Sequence, residues 1–431
     1  MKAAKPQIDV ELEALRPRSA CASISSAQSL RAALNDNPQV TTPIFLPSDG
    51  LHSIQTSQIP YCSSKLGERH GAGSGVILER ITCPTPGYYR VHKRNILNLA
   101  RKLSHTDPIT FGLLNCKGLV EDERTQGLQE AAFTMVFRIP REFSEPRSLR
   151  SCLLDGDASC SLSDRFKLAC DLAKSIGYVH TFGFVHKNVF PETILLFKAP
   201  GSSIGSFSLV GFSNFRDAEG GTLHFGDSVW EKNIYCHPRR QGQKPQADYI
   251  MQHDIYSLGV CLVELGLWES FVAYDDSMTP SPSIAVFSAS GGLQPRDPSL
   301  TKEHLLPLTR ELLPRRMGAR YAEIVETCLT CLDDDNIDFG DEREFTDADG
   351  ILVGVKYIEK VIIRLNSICV WIMSYQRLTT LICHGWRTCG PYRHADRHGQ
   401  PGLDVQESRP VGGGRAAVCA SDGDEQDEAG T

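Results

Sequence analysis

The chain has no excess of positive charge. Its 431 residues include 45 Lys and Arg against 52 Asp and Glu, which gives a formal net charge of −7. Proteins that bind nucleic acids or anionic membranes usually carry a basic surface. This balance therefore predicts neither kind of partner.

Long apolar segments are also missing. The polar residues after Met1 do not form the apolar core of a secretory signal. The most apolar segment of the C-terminal tail, from Cys369 to Cys383, is too short and too polar to span a bilayer. The 15 cysteines are scattered singly and odd in number, which does not favour a disulfide framework. We therefore expect a cytoplasmic protein with reduced thiols.

Hydrophobic periodicity divides the chain into four segments. Residues 1–70 show no sustained period and predict a disordered arm. Residues 71–147 mix strand and helix patterns, and residues 148–366 are mainly helical. Residues 367–431 change composition abruptly, which predicts an irregular and disordered tail.

The patterns within the two middle segments predict individual elements. Strands are predicted at Val76–Leu78 and Phe133–Phe137, with a helix at Ile96–Leu103 between them. Amphipathic helices are predicted at Arg165–His180, Tyr321–Leu332 and Val355–Leu365. Almost every residue from Ile255 to Trp268 is apolar or small, which predicts a helix buried on all sides with Asp254 capping its first turn.

Four motifs occur in the order in which protein kinases have them, and each resembles its kinase counterpart. The kinase patterns are H-R-D-L-x-x-x-N, D-F-G, A-P-E and the start of a buried central helix. Their counterparts here are His186-Lys187-Asn188 with Thr193, Gly211-Phe212, His237-Pro238-Arg239, and Asp254-Ile255-Tyr256-Ser257-Leu258-Gly259. The resemblance implies a two-lobed kinase-like fold of the α+β class, with a small sheet-containing N-terminal lobe and a mainly helical C-terminal lobe.

Shorter stretches of sequence make the resemblance more specific. Met317–Tyr321 and Tyr357–Val361 are similar to a fungal group of kinase-like proteins. That group often carries a prion-inhibition (HeLo-type) domain and is linked to heterokaryon incompatibility. The resemblance covers about residues 75–366. No HeLo-type helical domain fits within the first 70 residues, so we expect that domain to be absent or the sequence to be truncated.

The catalytic positions implied by the resemblance carry other residues. Phosphoryl transfer needs a carboxylate base and oxygen ligands for magnesium. Asn188, Thr193 and Gly211 occupy those positions, and none supplies a carboxylate. The resemblance implies a scaffold role for the remaining motif residues, with Asp254 bonding the loop backbone near the His: His186, Lys187, Phe212, Pro238 and Asp254.

The residues that would bind the nucleotide also depart from the kinase pattern. The strand beginning at Val76 places a hydrophobic residue or Arg80 where a kinase has its phosphate-pairing Lys. Gly71, Gly73 and Gly75 are weak candidates for a phosphate loop. The Cys and His residues of the tail lack zinc-finger spacing. We therefore expect no cofactor and no metal, with ATP and magnesium possible only if the chain is an active kinase.

Three functions remain open. The preferred one is a pseudokinase, that is, a non-catalytic interaction or switch module in fungal incompatibility or cell-death signalling. The second is a protein kinase with residual ATP binding and phosphotransfer, which magnesium-dependent transfer of radiolabel would favour. The third is an inert fragment of a larger parent, which transcript reads would identify.

Overall fold

Antiparallel sheets and helices together form a mixed α+β fold, as the sequence predicts. All the described residues belong to one structural unit. The structure, a computed structural model, describes residues 44–69, 75–83, 86–122, 132–156, 160–199, 202–217, 229–241, 248–283, 301–340 and 351–372.

The described strands form four sheets. The largest has five antiparallel strands in the order β1-β2-β3-β5-β4, and a three-stranded sheet has the order β6-β8-β9. Two short ladders pair β7 with β10 and β11 with β12. The strands are β1 (Ile54–Gln58), β2 (Lys65–Arg69), β3 (Val76–Thr82), β4 (Asn115–Glu121), β5 (Ala132–Arg138), β6 (Ser144–Ser148), β7 (Phe184–Val185), β8 (Ile194–Ala199), β9 (Ser202–Leu209), β10 (Arg216–Asp217), β11 (Val272–Tyr274) and β12 (Pro280–Pro282).

Helices dominate the second half of the described chain. They are α1 (Tyr89–Leu103), α2 (Pro108–Phe111), α3 (Leu149–Leu154), α4 (Leu162–Thr181), α5 (Trp230–Asn233), α6 (Met251–Leu267), α7 (Thr301–Pro307), α8 (Leu313–Met317), α9 (Ala319–Leu329) and α10 (Ile351–Tyr357). A π-helical segment, Leu308–Leu312, joins α7 to α8, and a second one, Ile358–Ile363, continues α10.

Strand β3 divides its side chains between the two faces of the large sheet. Ile77, Glu79 and Ile81 are buried on the inner face. Leu78 lies in a small apolar cluster on the outer face, and Arg80 is exposed there. Successive side chains of a strand point to opposite faces, so the inner face of β3 carries one acidic residue between two isoleucines.

The predicted arm begins its ordered structure well before residue 70. Residues 44–69 contain a 3₁₀ turn and the strands β1 and β2, whereas residues 1–43 lie outside the described residues. The segment is anchored on β4, because Leu119 N donates to Ile44 O at 2.8 Å and Leu46 N donates to Leu119 O at 2.7 Å. Four of the five β1 residues are exposed, so this strand has no hydrophobic alternation to reveal it.

The predicted central helix is confirmed. Every residue of α6 from Gln252 to Leu267 is buried. Helix α4 begins at a capping box in which Ser161 Oγ accepts from Asp164 N while the Asp164 carboxylate accepts from Ser161 N. This pairing satisfies amide groups that a helix start otherwise leaves unpaired. The other predicted helices are also present, although α1 begins at Tyr89, well before the predicted start.

The last described helix passes the predicted domain boundary at residue 366. Backbone from residue 364 to residue 372 is helical and follows directly on the π-helical segment. Tyr357 attaches this helix to α4, since its hydroxyl donates to Ala173 O at 2.7 Å. The rest of the predicted tail, residues 373–431, lies outside the described residues.

Candidate functional site

The three positions that the resemblance assigns to catalysis, Asn188, Thr193 and Gly211, lie together in one buried cluster. Asn188 and Thr193 belong to the loop between β7 and β8, and Gly211 follows β9. Asn188 Nδ2 donates to Gly211 O at 2.9 Å, and Thr193 Oγ1 donates to Asn188 O at 2.8 Å. The backbones also join, because Val210 N donates to Thr193 O at 2.9 Å.

Gly211 has no room for a side chain. Its φ of +90° lies in the region that side-chain-bearing residues rarely adopt. A Cβ at this position would lie 2.3 Å from Thr193 Cγ2 and 2.7 Å from Thr193 Cβ. Glycine is therefore required by the packing, and a carboxylate at this position is excluded unless the neighbouring turn moves.

Asn188 supplies hydrogen bonds but no basicity. Its side chain is buried, and its amide nitrogen is also 3.4 Å from Ser213 Oγ. A neutral amide can orient a hydroxyl group but cannot take up a proton near pH 7. The side-chain contacts among Asn188, Thr193 and Gly211 are thus made by neutral donors and acceptors.

Glu79 on β3 is the residue that the sequence analysis missed. Its carboxylate reaches the cluster from the inner face of the large sheet, where Oε2 accepts from Gly211 N at 3.0 Å. Arg80, which the sequence analysis considered instead, lies on the other face and pairs with Asp122 at 3.0 Å. The strand alternation of β3 could have found Glu79, because it places this residue on the same face as Ile77 and Ile81.

Burial raises the pKa of Glu79 from 4.5 to about 7. Hydrogen bonds from the backbone of Gly211, Phe212 and Ser213 act in the opposite direction but do not outweigh the loss of hydration. The side chain is 1% exposed, and its Oε1 atom has no hydrogen-bond partner among the described residues. Glu79 is therefore an acid that changes charge near neutral pH.

Asp254 holds the loop that carries the cluster. Its Oδ2 accepts from His186 N at 2.8 Å and Oδ1 accepts from Lys187 N at 2.9 Å. The contact with the loop backbone is the one that the resemblance implies. The predicted capping role is wrong, because α6 begins at Met251 after the cap residue Ile250, which places Asp254 inside the helix.

Two side chains complete the environment of the Asp254 carboxylate. His180 Nε2 lies 3.0 Å from Oδ2, and the Tyr249 hydroxyl donates to Oδ1 at 2.7 Å. Burial opposes ionisation of Asp254, but the hydrogen bond to His180 and the backbone bonds outweigh it and lower its pKa. The carboxylate is therefore a charged acceptor with four polar neighbours.

His186 is a packing residue rather than a base. Its ring is fully buried and stacks near Phe212, with 4.8 Å between ring centroids. Burial lowers its pKa to about 4, although the nearby Asp254 carboxylate acts in the opposite direction. The rings of Phe212 and Phe137 of β5 also lie close together, with 6.3 Å between their centroids. The rings of His186 and Phe212 therefore connect the loop to the large sheet.

The remaining predicted residues lie in structural turns. Lys187 has a φ of +62°, and its ammonium group lies 5.4 Å from the centre of the Tyr249 ring. Pro238 begins a 3₁₀ turn, and His237 Nε2 contacts Cys331 O at 3.0 Å. Gly75 precedes β3, whereas Gly71 and Gly73 lie outside the described residues.

A second buried charge network lies behind the loop. The fully buried Arg150 of α3 contacts Glu192 at 2.9 Å through Nε and Glu264 of α6 at 2.8 Å through Nη1. Arg150 also donates to the Tyr235 hydroxyl at 2.6 Å. Because Glu192 lies in the turn before Thr193, this network fixes the second half of the loop as Asp254 fixes the first.

No known family model matches this chain, and no curated protein matches it either. Among the described residues, no helix combines the length and apolar character needed to cross a membrane. In the same part of the chain, no three His, Cys, Asp or Glu residues are placed to hold a metal ion together.

Replacing the buried carboxylate of Asp254 should destabilise the protein. In Asp254→Asn, the amide group would place N–H donors against the donors of His186, Lys187 or Tyr249, so we expect a loss of about 1–3 kcal/mol in the free energy of unfolding. Urea unfolding measures this loss. Asp276→Asn, at an exposed position, is the matched control. Equal stability of the two variants would contradict the role assigned to Asp254.

Glu79 should make stability depend on pH. Its folded-state pKa of about 7 lies above the ordinary 4.5, so between these values the folded protein binds more protons than the unfolded chain. The contribution of Glu79 is therefore greatest below about pH 4.5 and is lost as the pH rises through 7. At 1.36 kcal/mol per pKa unit, the loss is about 3 kcal/mol.

The variant Glu79→Gln should lack this loss, because an amide does not titrate. Urea unfolding at several pH values between about 5 and 8 would show a smaller decline for Glu79→Gln than for the unaltered protein. Glu68→Gln, at an exposed position of β2, should keep the full decline. Parallel pH profiles for all three proteins would show that Glu79 is not the titrating group.

Proposed function

We propose that this chain is a non-catalytic protein kinase-like domain, a pseudokinase, that acts inside the cell as an interaction or switch module with protein partners. The sequence motifs support the kinase-like part of the proposal. Their similarity to the fungal group associated with HeLo-type domains supports a role in incompatibility or cell-death signalling. Protein kinase activity is the alternative that the following contacts disfavour.

The cluster at Asn188, Thr193 and Gly211 carries the proposal. A kinase needs a carboxylate to accept the substrate's proton and oxygen ligands for magnesium at these positions. Here Asn188 is neutral, Thr193 uses its hydroxyl on Asn188 O, and Gly211 has no space for a side chain. The side chains of the loop bond to its own backbone at positions where an active kinase would hold magnesium and the substrate.

Glu79 adds a second obstacle. The resemblance expects a lysine on β3 to reach toward this loop and pair with phosphates, and Glu79 is the β3 side chain that reaches it. An ionised carboxylate would repel the phosphates of a nucleotide, and a protonated one would not attract them. The charge at this position thus opposes the binding that the lysine supports.

The scaffold contacts favour a role based on binding surfaces. Asp254 and the Arg150 network hold both halves of the loop in place, and a pseudokinase would use such a loop as a scaffold rather than for chemistry. The helical segments that follow α10 also expose apolar side chains, among them Ile363 and Trp371, which are 54% and 68% exposed. Exposed apolar side chains of this size favour contacts with other proteins.

Magnesium-ATP should leave the melting temperature unchanged. A ligand at about 100 times its dissociation constant contributes about 2.7 kcal/mol, which would raise the melting temperature by a few degrees in a domain of this size. We expect no such rise at about 5 mM magnesium-ATP, a concentration 100 times a dissociation constant of about 50 µM. An active kinase domain in the same assay is the positive control. A rise that chelation of magnesium abolishes would overturn the proposal.

Restoring the base alone should not restore phosphoryl transfer. Asn188→Asp leaves Thr193, Gly211 and Glu79 unchanged, and catalytic groups that act together recover almost nothing when only one returns. Adding Gly211→Asp should lower the melting temperature, because the new Cβ would overlap Thr193. We expect no magnesium-dependent radiolabel transfer without Glu79→Lys in the same protein. Magnesium-dependent transfer by the unaltered protein that Asn188→Ala abolishes would show that the loop at Asn188 is an active site, and it would overturn the proposal.

A further inference from the structure

A cavity lies on the outer face of the large sheet, the face opposite to Glu79. Its volume is about 620 Å³, within the range of roughly 300–1,000 Å³ that is usual for sites of small organic ligands. Residues 46–54 form one wall and the strands form the other. Aliphatic side chains come from both walls: Leu46, Leu51, Ile54, Val76, Val120, Val136 and Ile139.

The wall formed by residues 46–54 is fixed to the sheet at both ends. At its start, Leu46 is hydrogen-bonded to the backbone of Leu119, and Gly118 lets the chain pass closely, because a Cβ there would lie 2.5 Å from Ile44 O. At its end, Ile54 pairs with Arg69 of β2. The cavity is therefore bounded by ordered backbone on both sides.

Glycine allows close packing at one side of the cavity. Gly67 of β2 lines the cavity, and a Cβ at this position would lie 2.7 Å from Ile54 Cγ2. Gly75 lines it as well. Gly67 pairs with Val76, the residue after Gly75. A larger residue at position 67 would displace the Ile54 side chain and so disturb the wall that residues 46–54 form.

Positive charge is concentrated at one end of the cavity. Lys117, Arg138 and Arg141 line it near the start of β4 and the end of β5, where Asn115 pairs with Arg138. Arg138 Nη1 donates to Asn115 Oδ1 at 2.7 Å, which orients the guanidinium group. None of the residues that line the cavity is acidic. The cavity thus has an apolar body and a cationic end.

We propose that this cavity binds a small amphipathic anion, namely a carboxylate with an apolar chain or ring. Burial of the apolar part against these aliphatic side chains would contribute affinity, because it removes apolar surface from water. The carboxylate would be paired by Lys117, Arg138 and Arg141, since arginine binds carboxylates through two parallel hydrogen bonds. The site is independent of the proposed function, because none of its residues belongs to the loop cluster.

Decanoate is a suitable probe, and isothermal titration calorimetry on the full chain is the measurement. We expect saturable binding that Lys117→Gln combined with Arg138→Gln weakens at least tenfold, because this variant removes two of the three cations at the end of the cavity. Decanol has the same chain without the charge. Its affinity for the unaltered protein should be no higher than the affinity of decanoate for the double variant. Arg80→Gln is the matched control, since Arg80 is a cation on the same face of the sheet that does not line the cavity.

Two filling variants test the location. Val136→Phe and Leu51→Phe place a larger side chain in the cavity from opposite walls, and each should abolish decanoate binding while the circular dichroism spectrum stays unchanged. Because the two variants lie on opposite walls, the test can still be made if one of them fails to fold. Absence of binding to the unaltered protein would overturn the proposal. Equal binding of decanoate and decanol, or binding that survives both folded filling variants, would also overturn it.

Discussion

The carboxylate of Asp254 is the constraint on which the candidate site depends. It is completely buried, and a buried charge is tolerated only when hydrogen bonds replace its hydration. Its neighbours come from three parts of the chain: His180 at the end of α4, the backbone of His186 and Lys187, and Tyr249 before α6. One side chain therefore sets the position of the loop relative to the central helix, and the left-handed backbone of Lys187 follows from the need to present its amide group.

Arg150 imposes the same kind of constraint on the far side of the loop. A buried guanidinium needs acceptors for its donors, and it finds them in Glu192, Glu264 and the Tyr235 hydroxyl. With both ends of the loop fixed, Thr193 is placed where its methyl group closes the space beside Gly211. The space beside Gly211 is thus closed by tight packing, and a side chain added there would require the Thr193 turn to move.

Local hydrophobic patterns are sufficient to predict α4, which has an apolar stripe, and α6, which is apolar on all sides. The backbone contact made by Asp254 follows from the resemblance instead. Strand β1 was not predicted, because its side chains are mostly exposed. Glu79 was missed because motif comparison directed attention to Arg80, although strand alternation places Glu79 on the buried face. The pairing of Arg150 with Glu264 joins residues 114 positions apart, and no local pattern carries that information.

Strand β3 connects the two sites physically. Val76 lines the outer cavity, and three residues further along the same strand Glu79 accepts from Gly211 N on the inner face. Strand β3 pairs with β2 from Val76 to Leu78 and with β5 along its whole length. The same backbone ladder therefore forms part of the cavity wall on one face and fixes the position of the Glu79 carboxylate beside Gly211 on the other.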